Sequence, residues 1–235
     1  MHRFFEAFFS PHAFRQVFPD VWNGFQTNIR MMVIAELLVL AFALALAVIR
    51  GLPGRGAWPL RVLAVVYTDT FRGTPLILVA YMLALGLPGI GIHGISNRSP
   101  FVYGVAALTF VYTAYVAEVY RAGIESVHGS QRMAARSLGL SYGQALRYVV
   151  LPQAIRRVIP PLLNDFIGLQ KDTAIISVAG VTESVVQAQN FGSSYYNYSG
   201  YVVAGVLFIF LTIPLARFTD HLVRERELRE RALAG

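Results

Sequence analysis

Residues 31–49 read Met31-Met32-Val33-Ile34-Ala35-Glu36-Leu37-Leu38-Val39-Leu40-Ala41-Phe42-Ala43-Leu44-Ala45-Leu46-Ala47-Val48-Ile49, nineteen positions with one charge, Glu36. A bilayer core takes about 20 mostly apolar residues per helix. Val202 to Leu215 carries no charge at all. The composition of the 235-residue chain agrees: 55% hydrophobic and 14% charged, against roughly 45–50% and about 25% in soluble domains. The chain therefore reads as an all-α integral membrane protein. A soluble enzyme, a disordered scaffold and a disulfide-stapled domain fit poorly. The sequence has no cysteine, which removes disulfides, thiolate metal sites and cysteine nucleophiles together.

Five spans follow from the apolar blocks: about Gln26 to Ile49, Leu60 to Leu87 with an interruption at Gly73-Thr74-Pro75, Phe101 to Tyr120, Val158 to Ile176, and Tyr201 to Leu222. The net charge is +7, and the arginines crowd the span ends. Arg50, Arg55 and Arg61 follow the first span; Arg121, Arg132, Arg136, Arg147, Arg156 and Arg157 follow the third; Arg224, Arg226, Arg229 and Arg231 lie in the tail. The loop before the third span has only Arg98, and Asp172 to Ala216 has neither lysine nor arginine. The positive-inside bias puts the arginine-rich side in the cytoplasm, the N-terminus outside and the C-terminus inside. This charge belongs to membrane topology, with no nucleic-acid partner. The N-terminal aromatics Phe4, Phe5, Phe8, Phe9, Phe14, Phe18 and Trp22, mixed with Glu6, Arg15 and Asp20, suit the membrane lipid interface.

The connector from Gly123 to Gln153 is long and patterned. Met133 to Leu138 forms a helix well, and Gly139-Leu140 is a helix stop. Ser141-Tyr142-Gly143-Gln144 has the S-x-x-Q form of a capping box, and a second helix follows. Two short helices joined at a sharp turn make either a docking surface for another protein or a hairpin lying on lipid headgroups.

Asp165 and Asp172 are seven residues apart, which on a helix places them about 20° apart around the axis and about 10.5 Å apart along it. Buried charges in a span are costly and usually functional. Two carboxylates on one face can line a cavity that attracts an ammonium group. Asp172 paired with Lys171 or Arg72 is the structural alternative. Gly73-Thr74-Pro75 breaks a span, and freed backbone groups at membrane depth are tolerated where they line a cavity. A substrate carboxylate fits against Gly73 and Thr74. For Arg72, an i,i+3 pair with Asp69 is expected, and Glu118 with Arg121 likewise. Glu36 has no evident partner. The five histidines form no metal-ligand spacing, so no metal site is expected. There is no G-x-x-x-x-G-K-[ST] phosphate loop, so an ATP-driven function needs a separate motor.

The stretch Ser130 to Ser141 with Leu151-Pro152-Gln153-Ala154 resembles the E-A-A…G…L-P coupling loop of membrane subunits of ATP-binding-cassette importers. Phe71 to Leu76, Tyr115 to Ile124, Arg156 to Asn164 and Lys171-Asp172-Thr173 look like the polar amino acid permease branch. The resemblance covers about residues 20 to 222. The family's glutamate is Met133 here, its glycine is Ser130, and K-D-S/T-S reads Lys171-Asp172-Thr173-Ala174. The resemblance implies a binding-protein-dependent importer permease of about five transmembrane helices in a bacterial inner membrane. Its divisions would be an interfacial segment 1–24, a permease domain 25–222 with coupling loop 123–153, and a tail 223–235. Substrate would meet Gly73, Thr74, Asn164, Asp165 and Asp172. ATPases would meet Gln131, Met133, Ala134, Ala135, Leu138, Gly139, Leu140 and Ser141. The implied partners are two cytoplasmic ATPases that carry the ATP and Mg2+, a second permease subunit, identical or paralogous, and an extracytoplasmic solute-binding protein. No cofactor is expected in this chain. An ion-coupled carrier and a non-transporting membrane adaptor are the competing readings.

Overall fold

The structure is a computed structural model that describes residues 2–52, 54–127 and 129–234. Met1, Pro53, His128 and Gly235 lie outside the described residues. Among the described residues every regular element is helical: α1 His2–Phe8, α2 Pro11–Gly51, α3 Trp58–Gly73, α4 Leu76–Tyr81, α5 Leu87–Ile90, α6 Pro100–Glu125, α7 Gly129–Ser137, α8 Tyr142–Ala145, α9 Leu151–Asp172, α10 Ser184–Tyr195 and α11 Ser199–Ala234. Two π-helical turns, Met82–Gly86 and Leu146–Val150, and a 3-10 turn, Ile175–Ala179, connect them.

Helix α2 starts well before the expected span boundary at Gln26. The reason is local. Ser10 is an extended N-cap whose Oγ accepts the Ala13 N–H at 3.4 Å, and Pro11 occupies the first helical position, where its fixed φ costs nothing. At about 1.5 Å per residue the 41 residues of α2 run to roughly 60 Å, about twice a bilayer core. Its early turns pack sideways: Val17 and Val21 are fully buried in a cluster with Ala188 and Phe191 of α10 and Ala204 of α11. Further along, Met31, Ala35 and Val39 join Leu108, Val116, Leu169 and Ile176 in the main core. Helix α6 runs through the middle of that core and contacts α2, α3, α4 and α9.

Among the described residues three helical stretches are long and apolar enough to cross a bilayer: Arg3–Gly51, Pro100–Glu125 and Ser199–Glu225. The pair Trp58–Gly73 and Leu76–Ile90 makes a fourth, bent by 104° at its break. Helix α9 has 22 residues, long enough to cross. It carries Arg156, Arg157, Asp165, Lys171 and Asp172, so composition alone does not mark it as a span. Arg156 and Arg157 lie toward its first turns, Asp165 and Asp172 line the cavity described below, and Lys171 is exposed.

The α7–α8 connection has the expected helix–glycine–helix form. Gly139 sits at φ +85°. Its N–H donates to Arg136 O at 3.0 Å, and Leu140 N–H donates to Ala135 O at 3.2 Å, the two bonds of a Schellman stop. Beyond it, Ser141 N–H donates to Gln144 Oε1 at 2.8 Å and Gln144 N–H to Ser141 Oγ at 3.3 Å, a reciprocal capping box. Val127, Val150 and Ala154 bury a small core beneath this knob. At the same end of the bundle, Glu118 pairs with Arg121, as the i,i+3 spacing predicts, and Arg121 also pairs with Glu125. Arg50 comes across from α2 to Glu118 at 2.8 Å, a contact between distant positions with no local signature.

Candidate substrate cavity and coupling surface

The break between α3 and α4 opens one side of a cavity. Thr74 is extended (φ −103°, ψ 126°), as the residue before a proline prefers, and Pro75 is also outside the helix. Helix α4 restarts with the Leu78 N–H donating to Pro75 O at 3.0 Å. Thr74 Oγ1 donates back to Thr70 O at 2.8 Å, which tidies the end of α3. On the opposite side, α9 presents Asn164, Asp165 and Asp172. The space enclosed is about 400 Å³, and Gly73, Thr74, Asn164, Asp165 and Asp172 all lie on its wall. That volume is in the range of small-ligand sites, roughly 300–1,000 Å³.

Helix α6 supplies the third wall, which the sequence reading missed. Tyr112 donates its hydroxyl to Asp172 Oδ2 at 2.8 Å. Tyr115, one turn on, carries the Arg72 guanidinium over its ring at 5.9 Å and places its hydroxyl 3.4 Å from Arg72 O. The pair of tyrosines at i,i+3 in the third span was the available signal. The expected Asp69–Arg72 pair is not present among the described residues; Arg72 stacks on Tyr115 and lines the cavity instead. The stack wins because it lets the planar cation shed little hydration while covering an aromatic face. Asp172 likewise takes a tyrosine hydroxyl, with no ion pair to Lys171 or Arg72 among the described residues. Asp165 Oδ2 is buried and has no hydrogen-bond donor among the described residues. An acceptor left unmet in a buried wall favours whatever cationic donor enters.

A second polar cluster lies next to this wall. Glu183 is fully buried as the N-cap of α10; Val185 N–H and Val186 N–H donate to its carboxylate at 3.0 and 2.9 Å. Asn28 of α2 donates to Glu183 Oε2 and to Thr173 Oγ1, each at 3.1 Å. A lone acid heading a helix in a stretch without lysine or arginine was its signature in the sequence.

On the knob, Met133 and Leu138 are 66% and 81% exposed, whereas Ala135 is buried beneath them. Gln131, Ala134, Gly139 and Ser141 are also exposed, and Leu140 is half-buried.

The protein family described as binding-protein-dependent transport system inner membrane component matches residues 44–227. The chain belongs to this family of importer permeases. Its similarity to individual members is broad. It is 35% identical over 206 residues to a probable glutamine ABC transporter permease of Bacillus subtilis, covering 87% of this chain and 92% of that one. It is 31% identical over 198 residues to an arginine transport system permease of the same organism, covering 84% and 88%. It is 34% identical over 207 residues to a glutamate transport system permease of Corynebacterium glutamicum, covering 84% and 90%. The crystal structure of an amino acid ABC transporter with histidines superposes with a TM-score of 0.81 at 31% identity, covering 89% of this permease and 95% of that chain. In this family ATP is hydrolysed by a separate ATPase subunit, and the membrane subunits work with ATPase and permease partners.

Proposed function

We propose that this permease subunit carries polar amino acids, cationic or amide-bearing ones first, inward across the bacterial inner membrane. The observation that carries the reading is the meeting of a broken helix and two carboxylates around one cavity. In this reading the substrate carboxylate lies against the Gly73–Thr74 backbone, with Arg72 adding positive potential. Its ammonium group meets the unpartnered oxygen of Asp165, and a cationic or amide side chain reaches Asp172 beside Asn164. An extracytoplasmic solute-binding protein delivers the substrate. Two ATPases, which hold the ATP and Mg2+, seat on the knob of each permease in a pair, at Gln131, Met133, Ala134, Ala135, Leu138, Gly139, Leu140 and Ser141. The segment 1–24 lies at the outer lipid interface, residues 25–222 form the translocating unit, and 223–235 is a cytoplasmic tail. Relatives named for glutamine and arginine transport support the substrate class; one named for glutamate marks the competing specificity.

Uptake of labelled amino acids into proteoliposomes holding the full transporter tests the cavity. Charge-assisted hydrogen bonds contribute about 1.5–3 kcal/mol net, and about 1.4 kcal/mol is a factor of ten. Asp165→Asn and Asp172→Asn should each slow uptake of cationic amino acids tenfold or more, while the solute-binding protein keeps its affinity. Unchanged uptake of every amino acid in both variants would return the carboxylates to a structural role. Orientation has its own test. A reporter at the C-terminus should read cytoplasm and one in the Pro88–Pro100 loop should read outside; inverted signals refute the topology.

A further inference from the structure

The stretch from Thr173 to Glu183 begins at the residue after Asp172 and ends at the cap of α10. It is a strap across the inside of the bundle. Its 3-10 turn, Ile175–Ala179, packs against α4, the first helix beyond the broken span, and against α6. Ile176, Ala179 and Val181 are buried there. Both ends of the strap are fastened to one residue of α2. Asn28 Nδ2 donates to Thr173 Oγ1 at the near end and to Glu183 Oε2 at the far end. Asn28 Oδ1 accepts the Ser184 N–H at 3.1 Å and lies 2.9 Å from Ser184 Oγ. The Thr173 hydroxyl donates a hydrogen bond to Gln170 O at 2.7 Å, inside the last turn of α9 that carries Asp172. Gly24, one turn before Asn28 on α2, lets the α10 cap approach: a Cβ there would come within 2.6 Å of Glu183 C and Ser184 N.

A simple core would not be built this way. Asn28 and Glu183 are 2% and 0% exposed, and Glu183 faces no cation among the described ion pairs. Burying a carboxylate is costly unless its oxygens are met. Glu183 has two backbone N–H groups, the Asn28 amide and the Ser184 hydroxyl for that purpose, with the positive end of α10 adding to them. A network so fully satisfied is rigid, and it comes apart abruptly when one member is lost.

We propose that Asn28 and Glu183 are positioning residues for the substrate cavity: they buckle both ends of the strap to α2 and so hold Asp172 and the α4 wall in place. The proposal rests on the cavity being the substrate site for its purpose, but its test uses no substrate. The chain has no cysteine, so a single introduced thiol reports alone. Ala179→Cys places one in the strap itself, on its buried side, where the alanine is 5% exposed, and Ala154→Cys places one in the remote core, at 2% exposed. With the full-length protein in lipid nanodiscs, both thiols should react slowly with a small water-soluble maleimide. Adding Asn28→Ala should speed labelling of the first about tenfold and leave the second unchanged. Glu183→Gln, milder because it keeps the volume, should give the same pattern with a smaller rise. Unaltered labelling at Ala179→Cys in both variants would show that the buckle does not hold the strap. An equal rise at both thiols would show a general stabilising role and overturn the proposal equally. Neither outcome touches the cationic preference tested by uptake, so the two readings fail separately.

Discussion

Gly139→Pro should abolish ATP-driven uptake and strip the ATPases from the purified complex while leaving the permease in the membrane. The position has φ +85°, and proline is locked near −65°. Proline also deletes the N–H that closes onto Arg136 O, and it displaces the Leu140 bond to Ala135 O. Both bonds of the turn go together, so Leu138 and Met133 lose their angle to the second helix. The site is solvent-facing and no Cβ contact exists within 4 Å, so the bundle itself should tolerate the change. Gly139→Asn serves as the graded control, because asparagine enters the left-handed region at modest cost; it should retain most activity. Normal ATPase co-elution and transport in the proline variant would remove the knob from the coupling pathway.

Gly24→Ala should lower thermal stability more than a single methyl group ordinarily would. Its new carbon would meet backbone at 2.6 Å on the far side, Glu183 C and Ser184 N; backbone in a capped helix start cannot swing aside as a side chain can. Overpacking costs about 1–3 kcal/mol and sometimes more. For a chain of this size that is roughly 2–12 °C in the melting point. Gly205→Ala is the matched control: its Cβ meets nothing within 4 Å, and helix propensity favours alanine by about 1 kcal/mol. Melting curves followed by circular dichroism in detergent should fall for the first and hold or rise for the second. A Gly24→Ala protein as stable as the parent would mean that α2 and the α10 cap do not approach this closely.

What could be read from the sequence was what is encoded locally. The stop at Gly139-Leu140 and the box at Ser141–Gln144 depend on residues within a few positions of one another, and both are present bond for bond. The shared face of Asp165 and Asp172 followed from helical period alone, and the break at Gly73–Pro75 from proline chemistry; the 104° of the bend did not. What escaped was non-local. Arg72 had a sequence neighbour of opposite charge, Asp69, yet took an aromatic ring from another helix. Asn28 and Glu183 stand 155 positions apart, and no periodicity links them. Of the charges on α9 only Asp165 and Asp172 line the cavity, while Arg156 and Lys171 are exposed; that Asp172 meets a tyrosine of α6 there is set only in the assembled bundle.

One continuity has a mechanical meaning. From Tyr142 through the wide turn at Leu146–Val150 to Asp172 the backbone stays helical without a gap. At 1.5 Å per residue that path is about 45 Å long, with Pro160 and Pro161 part-way along it. Its near end is clamped into the exposed knob, and its far end carries both carboxylates. A tilt of about 10° applied at the knob moves the far end by roughly 8 Å over that length, more than one helical turn. If the knob seats the ATPases as proposed, this helix is the covalent path by which their movement reaches the cavity wall. How faithfully such a stroke would arrive depends on how far the path bends at its wide turn and at Pro160-Pro161, the places where helices kink.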